Sequence, residues 1–360
     1  MAVPKSVAFD KRDHVLVLPG GDERRGYDGD NFLLHTDDLD GMRPTDLRAA
    51  LKRAMDGDDV TVNITLDDRL DEDLSIAEPV ALSYAHGQLL VTLCFGTDHH
   101  DVEEERIAEL LGSVLRPYLQ RNRSTLAGVE LDPFDPSIWN ITLACSTRGR
   151  DAAEMFRVGE GALALLVAYD TGKPSRETTL DLLRSGNAHV LIGQEEGPWL
   201  DVKADHYNLQ TPHGKISIAQ AVSRFANAEN GGIVVVGIRG KKVPGGEIIS
   251  SICPVPVDGR TLRQYQDAIE KYLYPPPDFL DIEAVPVNGG SLIVLHVPAQ
   301  PEELKPFLVH GAIVDGRVEG AFISIVRRRG ESSIPITAPA VHATLAAGRA
   351  LLRRGELPKD

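Results

Sequence analysis

Cysteine is scarce in this chain. Its 360 residues include three, Cys94, Cys145 and Cys253. They are too far apart for a CxxC metal or redox pair, and an odd number does not make a disulfide framework. Buried, reduced thiols in a cytoplasmic protein are the expectation. Long apolar runs are also missing. The most apolar stretch, around Ala162 to Tyr169, is far too short to span a bilayer. The charged first fifteen residues lack the apolar segment of a signal peptide, so neither secretion nor a membrane partner is expected. Familiar catalytic signatures are absent: there is no GxSxG elbow and no HExxH pair. The glycine-rich run FANAENGGIVVVGIRGKK fails as a P-loop, which would need glycine at Val235 and Ser or Thr at Lys242. It fails as a dinucleotide fingerprint too, because its glycines follow a helical pattern and precede a strand.

What is present is enough apolar content, 42%, to build cores, and a net charge of −15. A chain of this length is expected to hold two domains. The charge is uneven. Met1 to Val190 carry 20 basic and 34 acidic residues, whereas Leu191 to Asp360 carry 18 and 19. A polyanion is repelled by the first part and tolerated by the second, so any nucleic-acid surface is expected in the C-terminal half.

The periodicities predict an α/β (α+β) protein. In the N-terminal half, strands are expected at His14–Leu18, Val60–Leu66 and Ser137–Ser146, with a hairpin about His86-Gly87. Helices are expected at Pro44–Met55, Val102–Leu119 and Asp151–Tyr169, and a polar, aspartate-rich loop through Asp40. Thr171–Ser175 reads as a linker, giving domains of 1–172 and 177–354. In the second, Trp199–Lys203 is strand-like, Lys215–Asn227 helical, and Ile233–Val236 a fully buried strand. Gly237–Gly246 is a basic hairpin or loop, Arg260–Tyr272 a helix, and Ile282–Val287 with Leu292–Val297 a strand pair. A last strand at Phe322–Arg327 and a last helix at Ala338–Arg353 complete the pattern.

Three groups of residues carry candidate chemistry. The segment EEGPWLDVK places Glu196 and Asp201 on either side of a proline bend, with Lys203 beyond. Taken alone, the two acids read as a solvated pair, although such a pair also suits Mg²⁺ or Mn²⁺ if a third ligand joins it; Asp205, Glu229 and Glu247 are the nearest in sequence. Basic clusters stand at Arg239, Lys241 and Lys242, at Arg327, Arg328 and Arg329, and at Arg349, Arg353 and Arg354. Cations at loop ends suit phosphate contacts, which hold a nucleic acid without reading its sequence. Asp98-His-His-Asp101 has metal-ligand residue types, but neighbouring side chains point apart in extended structure, so a helix-entry loop is the better reading.

Five motifs in order resemble the Schlafen AlbA-like family. They are Leu182-Leu-Arg-Ser-Gly-Asn187; Glu196-x-x-Trp-Leu-Asp-Val-Lys203; Ile218-x-x-x-Val-Ser-Arg-Phe-Ala-Asn227 with Gly231–Ile238; Leu292–Pro298 with Lys305-Pro-Phe307; and Ile325–Gly330. The resemblance implies a nucleic-acid-binding mixed sheet with flanking helices over about half the chain, often dimeric. Members that cleave transfer or ribosomal RNA use three acids and a divalent metal. Glu196 and Asp201 take the first two positions here, with Lys203 stabilising charge on the phosphate. The third acid is expected where Arg239 or Gly240 stands, and a cation there favours a phosphate contact over a metal.

Three readings follow. The first is a cytoplasmic protein whose C-terminal domain grips the phosphates of DNA or RNA, as a dimer, while its acidic N-terminal domain contacts a protein partner. The second is a Schlafen-type endoribonuclease using Mg²⁺ or Mn²⁺ on Glu196 and Asp201. The third is a dimeric interaction scaffold.

Overall fold

The computed structural model describes residues 6–28, 31–55, 59–66, 77–97, 104–244, 246–314, 317–329, 332–335, 341–343, 346 and 348. The Asp98–Asp101 loop and Arg349, Arg353 and Arg354 lie outside the described residues, as does most of the expected 338–353 helix. The chain divides into two compact units, Met1–Asn187 and Ala188–Asp360, both mixed α/β. Among the described residues no helix is long and apolar enough to cross a membrane.

The N-terminal unit is built on one sheet. Its strands are β1 (Ala8–Asp10), β2 (Val15–Val17), β3 (Glu23–Asp28), β4 (Asn31–His35), β5 (Asp59–Thr65), β6 (Ala77–Ala85), β7 (Gln88–Gly96), β8 (Ser124–Leu131) and β9 (Ile138–Cys145), in the order β1-β2-β3-β4-β5-β6-β7-β9-β8. Helix α1 (Pro44–Ala54) is the crossover between the parallel strands β4 and β5. His86 and Gly87 both take positive φ at the β6–β7 turn, as a two-residue hairpin loop demands. The aspartate-rich stretch expected as loop instead holds β3 and β4. In β4, Phe32, Leu33 and Leu34 are all buried; the run is too short to register as a strand among polar neighbours. Helices α2 (Glu104–Arg121) and α3 (Ala152–Thr171) follow, the latter started by a capping box between Asp151 and Glu154. Helix α4 (Arg176–Arg184) packs on both, with Arg121 paired to Asp181, so the compact unit runs on past the Thr171–Ser175 turn. All three cysteines are free thiols. Cys145 is buried as expected, but Cys94 is exposed because its side chain falls on the outward face of β7.

The C-terminal unit centres on β11 (Gly232–Val236), every residue of which is buried. It pairs in parallel with β10 (Leu200–Lys203) and antiparallel with β16 (Gly290–Val297), and β15 (Asp281–Val287) completes this sheet. Helix α5 (Pro212–Ala226), capped by the Thr211 hydroxyl, lays Ile218, Val222 and Phe225 on Val234, Val236, Ile293 and Leu295. Strands β12 (Ile238–Val243) and β13 (Gly246–Ile252) form a hairpin, and α6 (Thr261–Tyr272) adds Tyr265 and Ile269 to the core. Beyond β14 (Leu273–Tyr274), β17 (Leu308–Val314) and β18 (Arg317–Ser324) form an antiparallel hairpin. The strand expected over Phe322–Arg327 is split between β18 and β19 (Val326–Arg329), which pairs with β20 (Ser332–Pro335).

Two glycines join α5 to the central strand. Gly231 has φ +70°, and a Cβ there would overlap the Val297 carbonyl oxygen; Gly232 lies under the Phe225 ring. Gly231→Ala is therefore expected to cost about 2 kcal/mol or more of unfolding free energy in urea titration, since both the backbone conformation and the space oppose it.

Candidate nucleic-acid interface

The acidic segment is positioned by two sets of backbone hydrogen bonds. Gly193, Gln194 and Glu196 run antiparallel beside β13: Gly193 N donates to Ile249 O, Ile249 N to Gln194 O, and Glu196 N to Glu247 O, each at 2.8 Å. After the Gly197-Pro198 bend, β10 lies parallel to β11 with Asp201 opposite Val234 and Lys203 opposite Val236. Those two valines face α5 in the core, so alternation along the strand sends Asp201 and Lys203 to the α5 side. Both acids are consequently buried, Glu196 at 7% exposure and Asp201 at 3%. The reading of a solvated pair is overturned, because pairing with the neighbouring strands on either side of the exposed Pro198 places both acids in the interior.

Each carboxylate has a structural partner. Glu196 Oε1 accepts the Val202 backbone N–H at 2.7 Å, which ties the bend to β10. Asp201 Oδ1 accepts from Lys203 Nζ at 3.2 Å and lies 3.8 Å from Arg224 Nη1 on α5. Lys203 Nζ also donates to the Val202 carbonyl at 3.0 Å, and its side chain stays 42% exposed. Burial pushes Glu196 above the ordinary carboxylate range; the Val202 N–H and Lys203 oppose the shift, while Asp201 and Glu247 add to it. Burial, followed by the charge of Asp201, raises the Tyr207 phenol well above its ordinary value. The loop after β10 is held by His206, whose Nε2 donates to Pro256 O at 2.8 Å while Nδ1 lies 3.1 Å from the Tyr265 hydroxyl.

Beside this buried cluster lies the basic hairpin. Strand β12 touches β10 and exposes Arg239, Lys241 and Lys242. Its Gly240 is covered by Glu247 of β13: a Cβ on Gly240 would meet that carboxylate. The second basic cluster, Arg327, Arg328 and Arg329, lies on β19; their side chains lie outside the described residues. Asn227, at the C-terminal end of α5, anchors β19. Its Nδ2 donates to Val326 O (3.1 Å) and Phe307 O (3.0 Å), and its Oδ1 accepts from Phe307 N at 2.7 Å. The structure thus brings Glu196, Asp201 and Lys203 into one cluster, with Arg239, Lys241 and Lys242 on an adjoining strand.

Residues 196–337 match the family model described as Schlafen, AlbA_2. That is the family the sequence motifs resemble. Two solved structures share local similarity with the chain. One is the DIP2311 protein from Corynebacterium diphtheriae, at 19% identity and a TM-score of 0.27, over 46% of this chain and 23% of that one. The other is the N-terminal domain of a RecG-related protein from Nitrosomonas europaea, at 21% identity and a TM-score of 0.26, over 44% and 92%. The chain therefore spans under a quarter of the first of these proteins. No curated protein matches it.

The AlbA_2-like unit departs from a three-acid metal site at every ligand. Glu196 Oε1 is engaged by Val202 N–H, Asp201 faces two cations of its own chain, and neither Arg239 nor Gly240, where the third acid is expected, is an acid. Among the described residues no group of three His, Cys, Asp or Glu side chains is arranged to hold a metal. Arg224 and Tyr207 did not stand out in the sequence. Arg224 lies inside the VSRFAN motif but off its apolar stripe, and that position on a core-facing helix was the available signal.

The raised pKa of Glu196 has a definite linkage consequence. The folded state holds this proton more tightly than the unfolded chain, so stability falls as pH rises from the ordinary carboxylate range through the raised value. Glu196→Gln retains an acceptor for Val202 N–H and removes the titration. Urea unfolding across that range is expected to give a flatter stability profile for the variant, with its advantage over wild type growing toward neutral pH; parallel profiles would remove the assignment.

Proposed function

We propose that the AlbA_2-like unit binds DNA or RNA through its phosphates, with Arg239, Lys241 and Lys242 of β12 as the principal contacts. Lys203 supports them at the end of β10, and Arg327, Arg328 and Arg329 on β19 extend the surface. The observation that carries this reading is the row of three exposed cations on one hairpin strand, in a half of the chain that is nearly neutral. Exposed guanidinium and ammonium groups release condensed counterions when they meet phosphates, which makes affinity salt-dependent and largely indifferent to sequence. The family match over residues 196–337 supports a nucleic-acid-related role for this unit. The acidic N-terminal unit, repelled by such a ligand, is assigned to protein contacts, and the assembly to a homodimer in the cytoplasm. The geometry at Glu196 and Asp201 gives the Mg²⁺- or Mn²⁺-dependent nuclease no comparable support.

Fluorescence anisotropy against salt concentration tests this reading. Replacing Arg239, Lys241 and Lys242 by alanine is expected to lower the log–log salt slope by about 1 per side chain, and to weaken DNA or RNA oligonucleotides of different sequence by similar factors. Neutralising Arg327–Arg329 gives a further reduction. An unchanged slope in both variants would leave the dimeric scaffold as the better reading. Incubation with transfer RNA and Mn²⁺ is expected to leave the RNA intact; cleavage abolished by Glu196→Ala and Asp201→Ala would establish the nuclease instead.

A further inference from the structure

A buried carboxylate is stable only if its charge is matched or lost, and Asp201, at 3% exposure, has two cations beside it. They differ in kind. Lys203 is on the same strand, half-exposed, and shared with a backbone carbonyl. Arg224 comes from α5 across the interior, is 20% exposed, and directs Nη1 toward the same Oδ1, while its Nε is buried without a hydrogen-bond partner. A guanidinium keeps its charge throughout the working pH range and cannot be neutralised by burial as an ammonium can.

We infer that Arg224 is the resident cation of this cluster, supplying at Asp201, together with Lys203, the positive charge that a divalent ion supplies where three acids converge. Three independent features of the chain agree. Mg²⁺ and Mn²⁺ keep several waters when bound by one or two carboxylates, and a hydrated ion at Asp201 would meet the Arg224 guanidinium and like charge. Glu196 Oε1 is committed to the bend through Val202 N–H. Neither position at which a third acid is expected supplies one: Arg239 is an exposed cation, and the space beside Gly240 is filled by Glu247. The two acids are therefore positioning residues: Asp201 fixes Arg224 inside and the Lys203 ammonium at the rim, and Glu196 fixes the bend through the Val202 N–H. The cluster needs no divalent ion to balance its charge, whichever polyanion the unit binds.

Mn²⁺ titration of the full chain, followed by the electron paramagnetic resonance of the free ion, tests this without any nucleic acid present. Wild-type protein and Asp201→Asn are expected to give the same titration, with no saturable uptake assignable to Asp201. Arg224→Gln, checked for folding by circular dichroism, is expected to gain uptake of one Mn²⁺ that disappears when Asp201→Asn is added, whereas Arg224→Lys behaves as wild type. Uptake by the wild type that Asp201→Asn abolishes would overturn the inference, as would a folded Arg224→Gln that gains no site. Should Arg224→Gln fail to fold, the comparison of wild type with Asp201→Asn still decides.

Discussion

A carboxylate on the core side of a β-strand has to be given a positive charge, and much of the C-terminal unit is arranged around that requirement at Asp201. The register of β10 against β11 fixes the side on which Asp201 emerges, between valines that line the core beneath α5. Once there it cannot reach bulk water, so a cation has to come to it. Arg224 comes from the helix that closes the core, and Lys203 comes from two residues along the strand. Through Glu196 the same requirement extends outward: its carboxylate holds the bend by accepting the Val202 N–H, and its own backbone N–H joins β13. The cationic hairpin is thereby attached to the same edge of the structure as the buried acids.

This arrangement separates two tasks that residue types alone confuse. Acids spaced as Glu196 and Asp201 are suited to holding a metal, and neighbouring lysines and arginines to holding phosphate. In the folded unit both acids turn inward, Asp201 to cations of the chain and Glu196 to the Val202 N–H, while Arg239, Lys241 and Lys242 are exposed. Asn227 plays the corresponding part at the other basic cluster, linking the end of α5 to Phe307 and to the strand that carries Arg327–Arg329.

Where hydrophobic periodicity is strong, the elements were legible in the sequence. The continuous Ile233–Val236 run, the stripe of Ile218, Val222 and Phe225, and the β15–β16 pair all appear with ends shifted by only a few residues. Short strands in polar company were not legible: β4 hides three buried residues among aspartates, and the β17–β18 hairpin is broken by irregular pairing near Gly311. The same holds for the candidate site. Residue types and order indicated Glu196, Asp201 and the basic clusters, but burial of the acids depends on strand register, which a local reading does not contain. Arg224 and Glu247 reach the cluster only through tertiary packing, from a helix and a neighbouring strand.

The account stands or falls on whether Asp201 and Arg224 act as a pair. A double-mutant cycle of Asp201→Asn and Arg224→Gln, measured by urea unfolding at neutral pH and low salt, reads that coupling directly. The account predicts a favourable interaction of about 1 kcal/mol or more, with the double variant less damaged than the sum of the two single variants. Additivity within about 0.3 kcal/mol would mean that the guanidinium does not serve this carboxylate, and would contradict it.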